Sequence, residues 1–329
     1  MARLAIGVDF GGTKVLAAVV DVDSGKVIGT GKKKTRADDG PDELMERIYD
    51  TCDQAIVDAK VDRDHVVGIG VGIAGQVDAE QGLLVGTANL SRSVVDLPMA
   101  ARLRERFGVP ATLRNDVQIA AVGEARFGAG KGCNDFMCVF VGTGIGGAIV
   151  RDGTLVTGAT GSAGELGHTI VQEGGRICGC GGRGHLEAYA SRTAITNVLL
   201  GELRRGRQTE LRRLLPGVDP TAPGGTAIRS GILKKAVAAG DEVVTEVIDE
   251  AGHYLGFGLA TIVNILNPQR IILGGGVIEA VDRLFAAAER SARREALPFA
   301  GERVEIVTAG LGDNAGVVGA AAIAAEGIR

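Results

Sequence analysis

The chain has 329 residues, which is more than one small core usually supports, so its length favours two lobes. Hydrophobic residues make up 45% and charged residues 23%, and the net charge of −4 gives no reason to expect nucleic-acid or membrane binding. No apolar run is long enough to span a bilayer, and the first residues lack the apolar segment of a signal peptide. We therefore expect a cytoplasmic location.

Glycine is unusually frequent, with 52 residues, about twice the usual fraction. Without a collagen-like period, this excess predicts tight turns and close approaches of the backbone to a ligand. The five cysteines are an odd number, which argues against a disulfide framework.

A first glycine turn lies between two apolar runs in residues 5–21, which predicts a β-hairpin followed by a third strand near Val27. Its residues are Asp9-Phe10-Gly11-Gly12-Thr13-Lys14. Such a turn exposes backbone N–H groups and a hydroxyl, which suit phosphate oxygens. Asp9, at the end of the strand, is placed to hold Mg²⁺ through water. The alternative is a plain hairpin turn.

The same pattern returns in residues 136–156, where the turn is Gly142-Thr143-Gly144-Ile145-Gly146-Gly147. The repeat predicts two similar lobes, each with a phosphate-binding hairpin. The turn also matches the dinucleotide fingerprint GxGxxG, but that fingerprint must open a helix, and residues 148–153 predict a strand and a turn. NAD binding is therefore rejected. A Walker A motif ending at Lys131 also fails, because residue 125 is Ala and residue 132 is Gly.

Alternating strands and helices predict an α/β fold. The predicted helices cover residues 42–59, 99–107, 117–127, 241–266 and 312–325, and the predicted strands between them cover 66–73, 111–114 and 271–273. The strand at 271–273 opens into Gly274-Gly275-Gly276. Asp241 is predicted to cap the long helix that ends at Leu266.

Asn115 and Asp116 stand where a short strand meets a helix. A phosphoryl-transfer enzyme needs a carboxylate that orients the attacking hydroxyl and takes its proton, and Asp116 is the candidate. The alternative is that Asp116 only caps the helix.

Two histidines and two cysteines fall close together in the sequence: His168, Cys178, Cys180 and His185. This set of ligands suits one structural zinc ion in tetrahedral coordination. Chance clustering is the alternative.

Together these segments resemble the ROK family (repressor, open reading frame, kinase), and within it the bacterial glucokinases. The resemblance covers essentially the whole chain and includes both hairpins, Asn115-Asp116, the zinc-type cluster with Glu165 and Glu187, the Gly274–Gly276 loop and residues 313–316. It implies a two-lobed, actin-like ATPase fold, which is ribonuclease H-like and duplicated. Residues 1–116 would form a small lobe and residues 117–314 a large lobe, with a helix at about 315–329 packing back on the small lobe.

The resemblance further implies transfer of phosphate from ATP, bound with Mg²⁺ between the lobes, to the 6-hydroxyl of glucose, with Asp116 as the base. The implied sugar contacts are Gly75, Asn89, Asn115, Asp116, Glu165, His168 and Glu187. The implied nucleotide contacts are Asp9, Gly11, Gly12, Thr13, Lys14, Gly142, Thr143, Gly144, Gly274, Gly275 and Gly276. A side chain larger than Gly at position 144 is expected to raise the KM for ATP more than that for sugar. Family habit implies a homodimer or homotetramer.

Two departures from the family pattern matter. His185 replaces the third zinc cysteine, so either His185 or a water completes the tetrahedron. The loop after Asn89 lacks the tryptophan common in glucokinases, which leaves fructose, N-acetylmannosamine and N-acetylglucosamine as alternative acceptors. Family repressors carry an N-terminal helix-turn-helix, whereas this sequence starts at the first phosphate strand. A sugar sensor without catalysis is disfavoured by Asp116 and both hairpins.

Overall fold

The computed structural model describes residues 2–12, 14–36, 40–86, 94–219, 221 and 227–326. The strands are β1 (Leu4–Phe10), β2 (Lys14–Asp21), β3 (Lys26–Lys34), β4 (Val66–Ile73), β5 (Gln76–Asp78), β6 (Leu83–Gly86), β7 (Ala111–Asn115), β8 (Phe136–Val141), β9 (Ile145–Arg151), β10 (Thr154–Val156), β11 (Arg270–Gly274) and β12 (Glu305–Thr308). The helices are α1 (Pro41–Ala59), α2 (Met99–Phe107), α3 (Asp116–Phe127), α4 (Glu187–Ala190), α5 (Arg192–Arg204), α6 (Leu211–Leu214), α7 (Ser230–Ala238), α8 (Glu242–Leu266), α9 (Asp282–Glu295), α10 (Pro298–Gly301) and α11 (Ala315–Glu326). Within the described ranges, no helix has the length and apolar character needed to cross a bilayer.

Two five-stranded sheets repeat one topology. The first has the order β3–β2–β1–β4–β7 and the second the order β10–β9–β8–β11–β12. In the first, β1 pairs antiparallel with β2 and parallel with β4, and Phe10 stands opposite Val15 at the hairpin. In the second, β11 pairs parallel with both β8 and β12. The repeated order is the duplicated α/β arrangement expected from the two similar hairpins.

Contacts divide the described residues into two compact units. The first takes its residues from 1–134, 148–164 and 310–329, and the second from 135–147 and 165–309. This division keeps α3 with the first unit, whereas the sequence places the lobe boundary at residue 116. The lobe boundaries stay a prediction.

The first unit buries its sheet on both faces. Helices α1 and α2 cover one face, where residues such as Ile6, Val8 and Ile48 are fully buried. Helices α3 and α11 cover the other face. There, glycines on the strands let the helix backbone approach closely: a Cβ on Gly7 would lie 1.8 Å from the Val317 carbonyl oxygen, and one on Gly70 would lie 2.0 Å from that of Ala320. Part of the glycine excess therefore serves packing rather than ligand binding.

The second unit is built around helix α8, which packs against α4, α5, α7 and α9. Its boundaries follow from local chemistry. The Asp241 side chain accepts a hydrogen bond from the Val244 N–H, which confirms the predicted cap, and Asn267 ends the helix in the left-handed conformation just before Pro268.

Candidate active site and zinc loop

The first glycine hairpin joins β1 to β2. The Gly11 N–H donates to the Lys14 carbonyl at 3.0 Å, and the Thr35 hydroxyl donates to the Gly11 carbonyl at 2.7 Å. The Lys14 ammonium lies 3.4 Å from the Asp313 carboxylate. These contacts hold the turn that the sequence predicts to bind phosphate. Thr13, which belongs to this turn, lies outside the described residues.

Asp9 is the last residue but one of β1 and lies in a confined place. The pKa of its carboxyl is raised from 3.8 to about 6, first by burial and next by the charge of Asp116; Lys14 lowers it, and Asp313 raises it by less. A Cβ on Gly316, at the start of α11, would lie only 3.0 Å from the Asp9 carboxyl carbon. A buried carboxylate held beside another carboxylate favours a cation, which fits the predicted Mg²⁺ position.

Asp9 therefore weakens the fold when it is ionised. Because its pKa is higher in the folded chain than in the unfolded chain, protonation favours the folded state. The penalty grows as the pH rises from about 4 to 6 and is complete above about pH 7. We expect Asp9→Asn to raise the free energy of unfolding by about 3 kcal/mol at pH 7. The gain should shrink as the pH falls from 6 towards 4. Urea unfolding of both proteins across this range measures the difference, and a gain that does not vary with pH would contradict the assignment.

Asn115 and Asp116 sit at the junction of β7 and α3, both half-buried. Asn115 is the helix cap: its side-chain oxygen accepts from the N–H groups of Val117 at 2.9 Å and Gln118 at 3.4 Å. Its amide nitrogen donates to the Gly75 carbonyl at 3.5 Å, which brings two predicted sugar contacts together. Asp116 is the first helical residue, and one carboxylate oxygen accepts from the Val117 N–H. The capping role proposed for Asp116 thus belongs to Asn115.

Helix α3 also carries two buried polar residues that sequence reasoning missed. The Gln118 side-chain amide donates to the Gly161 carbonyl at 2.8 Å. Glu124 is fully buried, and its carboxylate accepts from three backbone N–H groups, those of Ala129, Gly310 and Leu311, at 2.7–2.9 Å. Glu124 therefore fixes the segment that leads to Asp313 and the start of α11. A glutamate on an otherwise apolar helix face was the available signal.

Removing the Glu124 carboxylate should be costly. Glu124→Ala leaves three N–H groups without their acceptor, and we expect the free energy of unfolding to fall by about 3 kcal/mol or more. Glu124→Gln should lose less, because its one oxygen can still accept two of the three bonds. Urea unfolding at pH 7 measures both variants; an alanine variant as stable as the glutamine variant would contradict this role.

The second glycine hairpin joins β8 to β9 and is closed by the Gly142 N–H, which donates to the Gly144 carbonyl at 2.9 Å. The strand β9 follows directly, so the rejection of a helix-opening dinucleotide fingerprint is confirmed. Gly275 lies against this hairpin: its φ is +89°, and a Cβ there would lie 2.6 Å from the Val141 carbonyl oxygen. The second unit thus brings the hairpin and the Gly274–Gly276 loop together, as expected if both contact one nucleotide.

The zinc-type residues converge in the second unit. One ligand atom from each of His168, Cys178, Cys180 and His185 lies within 4.8 Å of all the others. The Cys178 sulfur is 3.8 Å from His168 Nδ1, and the Cys180 sulfur is 3.3 Å from His185 Nδ1. A tetrahedral zinc ion holds its nitrogen and sulfur ligands about 3.3–3.8 Å apart. The Cys178–His168 and Cys180–His185 distances lie in this range, so the cluster suits zinc. Burial raises the pKa of the Cys178 thiol to about 11, so a nearby cation is needed to make it a thiolate.

Glu187, at the start of α4, connects the cluster formed by His168, Cys178, Cys180 and His185 to the second hairpin. One carboxylate oxygen accepts from the Ile145 N–H at 2.9 Å, and the other accepts from the Cys178 thiol at 3.5 Å. Glu165 is exposed, and its carbonyl accepts from the His168 N–H at 3.1 Å. The predicted sugar contact Asn89 lies outside the described residues.

Similarity to known proteins agrees with this arrangement. The ROK family description matches residues 5–327. The chain belongs to the ROK family. Over 96% of its length it is 32% identical to a glucokinase of Halalkalibacterium halodurans, covering 93% of that protein. A ROK glucokinase of Streptomyces griseus, solved in complex with glucose and AMPPNP, superposes with a TM-score of 0.83 at 32% identity, over 98% of this chain and all of that one.

The family also contains regulators. The DNA-binding transcriptional repressor Mlc of Escherichia coli is 28% identical over 94% of this chain and 73% of the repressor. The solved ROK structures establish the actin-like, two-lobed α/β fold that the sequence predicts. ROK membership by itself does not separate kinases from repressors. The residues of the site are what distinguish the two activities.

Proposed function

We propose that this ROK protein transfers the γ-phosphate of ATP to the 6-hydroxyl of a hexose and that glucose is its preferred acceptor. The observation that carries the proposal is Asp116: its carboxylate stands at the start of α3, where Asn115 already caps the helix. The sequence similarity to glucokinases supports the choice of sugar. A cytoplasmic location and a homo-oligomeric state remain part of the same proposal.

The chemistry divides among a few residues. Asp116 accepts the proton of the sugar hydroxyl, the hydroxyl oxygen forms a bond to the γ-phosphorus, and the bond to the bridging oxygen breaks to release ADP. The two glycine hairpins offer backbone N–H groups to the phosphates. Mg²⁺ bound with ATP would neutralise phosphate charge, and Asp9 would hold it through water.

The zinc loop would shape the sugar site rather than react. Four protein ligands leave a zinc ion no position for a catalytic water. Ligation through one ring nitrogen would fix the His168 ring and leave its other nitrogen for the sugar. Glu187 would supply a carboxylate to sugar hydroxyls while it stays bonded to the Ile145 N–H.

The direct test is a coupled assay of ADP release with a panel of sugars. Glucose should give the highest kcat/KM, and NMR of the product should place the phosphate on O6. A higher kcat/KM for fructose or an N-acetylhexosamine would move the assignment to that kinase class. Sugar binding without ADP release from any acceptor would favour a sensor related to the repressors.

The hairpin glycines offer a matched pair of variants. A Cβ on Gly142 would meet no atom within 4 Å, whereas one on Gly144 would lie 2.3 Å from a Glu187 carboxylate oxygen. Gly142→Ala should therefore raise the KM for ATP roughly tenfold by keeping phosphate off the backbone, with little change for glucose. Gly144→Ala should raise both KM values, because its Cβ would also displace the Glu187 carboxylate, a proposed sugar contact. Steady-state kinetics decide, and an unchanged KM for glucose in Gly144→Ala would contradict the link through Glu187.

A further inference from the structure

Arg192 is a cation placed on the second glycine hairpin. It is the first residue of α5, and its Nη2 donates to the Thr143 hydroxyl at 2.6 Å. Its backbone N–H donates to the Gly142 carbonyl at 2.9 Å, and the Thr193 hydroxyl donates to the Thr143 carbonyl at 2.8 Å. These hydrogen bonds join the start of α5 to the hairpin. They also hold the Arg192 guanidinium beside the hairpin turn.

Nothing else in the described chain accounts for this charge. The only side-chain hydrogen bond of Arg192 within the described residues goes to the neutral Thr143 hydroxyl, and no carboxylate there forms an ion pair with it. The residue is half-buried. A positive side chain in the first turn of a helix also opposes the helix dipole, so its place stabilises neither the helix nor an ion pair. An anion bound at the hairpin would pair with this charge.

We propose that Arg192 binds oxygen atoms of the nucleotide's phosphate chain beyond the α-phosphate. The inference rests on the proposed function, since it takes the hairpin at Gly142–Gly144 to be a phosphate site. A guanidinium presents several donors in a planar fork that matches phosphate oxygens. The bond to Thr143 uses one donor and limits the rotamers, so less freedom is lost when phosphate binds. Arg192 adds charge where the hairpin supplies only neutral groups, its backbone N–H dipoles and the Thr143 hydroxyl.

A series of nucleotides with one, two and three phosphates tests the proposal by calorimetry. AMP, ADP and the non-hydrolysable analogue AMPPNP are titrated with Mg²⁺ into the wild-type protein and into Arg192→Ala. The variant should bind ADP and AMPPNP about tenfold to a hundredfold more weakly, because a charge-assisted contact is lost, while AMP changes by less than about threefold. An equal loss for AMP, or no loss for AMPPNP, would overturn the inference.

Two substitutions separate charge from packing. Arg192→Lys keeps the charge but not the planar fork, so it should bind AMPPNP more tightly than Arg192→Ala and more weakly than the wild type. Arg192→Gln can still donate to Thr143 but should behave like alanine. If Arg192→Gln binds AMPPNP as the wild type does, the residue only holds the hairpin and the inference fails. If Arg192→Ala does not fold, the nucleotide affinities of Arg192→Gln are compared with those of the wild type instead. Arg205→Ala, at the residue that follows the same helix and pairs with Glu202, is the control for net charge and should bind normally.

Measurements on the wild-type protein separate a failure of the proposed role of Arg192 from a failure of the proposed kinase function. If it binds AMPPNP and releases ADP with a sugar, but Arg192→Ala does so equally well, only the role of Arg192 is lost. If the wild type binds none of the three nucleotides, the proposed kinase function falls, and the role of Arg192 falls with it.

Discussion

Asp116→Asn should lower kcat by roughly 10² to 10⁴, the usual contribution of a general base, and change sugar affinity much less. The substitution keeps the shape of the side chain and removes its basicity. Because the helix cap is Asn115, whose oxygen accepts from two N–H groups, Asn at position 116 leaves the start of α3 intact. The large loss in rate is therefore expected without a loss of fold.

The measurement combines single-turnover kinetics, calorimetry with glucose and urea unfolding. Asp116→Asn should unfold close to the wild-type midpoint. Asp78→Asn, a substitution in strand β5, is a control for loss of a carboxylate and should keep its rate. An Asp116→Asn variant that keeps more than about a third of the wild-type kcat would show that another group takes the proton.

Replacing a ligand of the proposed zinc site should have the next largest effect. Elemental analysis of the purified protein should find close to one zinc per chain. His185→Ala removes one of four converging ligands, so zinc occupancy should fall and glucose should bind at least about tenfold more weakly, as losses near a metal site commonly do. Nucleotide binding should be spared, since none of the three glycine segments contributes a residue to the cluster.

His65→Ala provides the matched control, because His65 is exposed and lies outside the cluster. It should keep both zinc and glucose binding. Full activity in a wild-type protein stripped of metal would refute the zinc site as a whole. Full zinc occupancy in His185→Ala would refute only the fourth ligand, leaving a water to complete the tetrahedron.

Local patterns in the sequence were enough to predict the two hairpins, the long helix capped by Asp241 and the convergence of the two cysteines with the two histidines. Each of these features is set by residues close together in the chain, where turn chemistry, helix caps and ligand spacing act directly. The roles of the site residues remain proposals, because a pattern places a side chain without showing what it binds.

Contacts between distant segments could not be predicted in the same way. Glu124 meets Gly310 and Leu311 more than 180 residues along the chain. Glu187 reaches back to Ile145, and Arg192 reaches back to Thr143. These bonds depend on how helices pack on sheets, which periodicity does not specify. The division by contacts differs from the predicted boundary at residue 116 for the same reason, since α3 packs on α11 from the far end of the sequence.

The close packing of α11 on β1 and β4 has a consequence for the order of events during synthesis. Val317, Val318 and Ala321 complete the apolar cluster that begins with Ala5, Ala18 and Val20. The first strands leave the ribosome long before α11 is made, and until then their glycine-lined face lacks its cover. We expect this face to need protection in the nascent chain, so that a ribosome stalled before α11 would present a sheet prone to aggregation. The first unit begins to be translated early, but it cannot finish folding until α11, near the end of the chain, has been made.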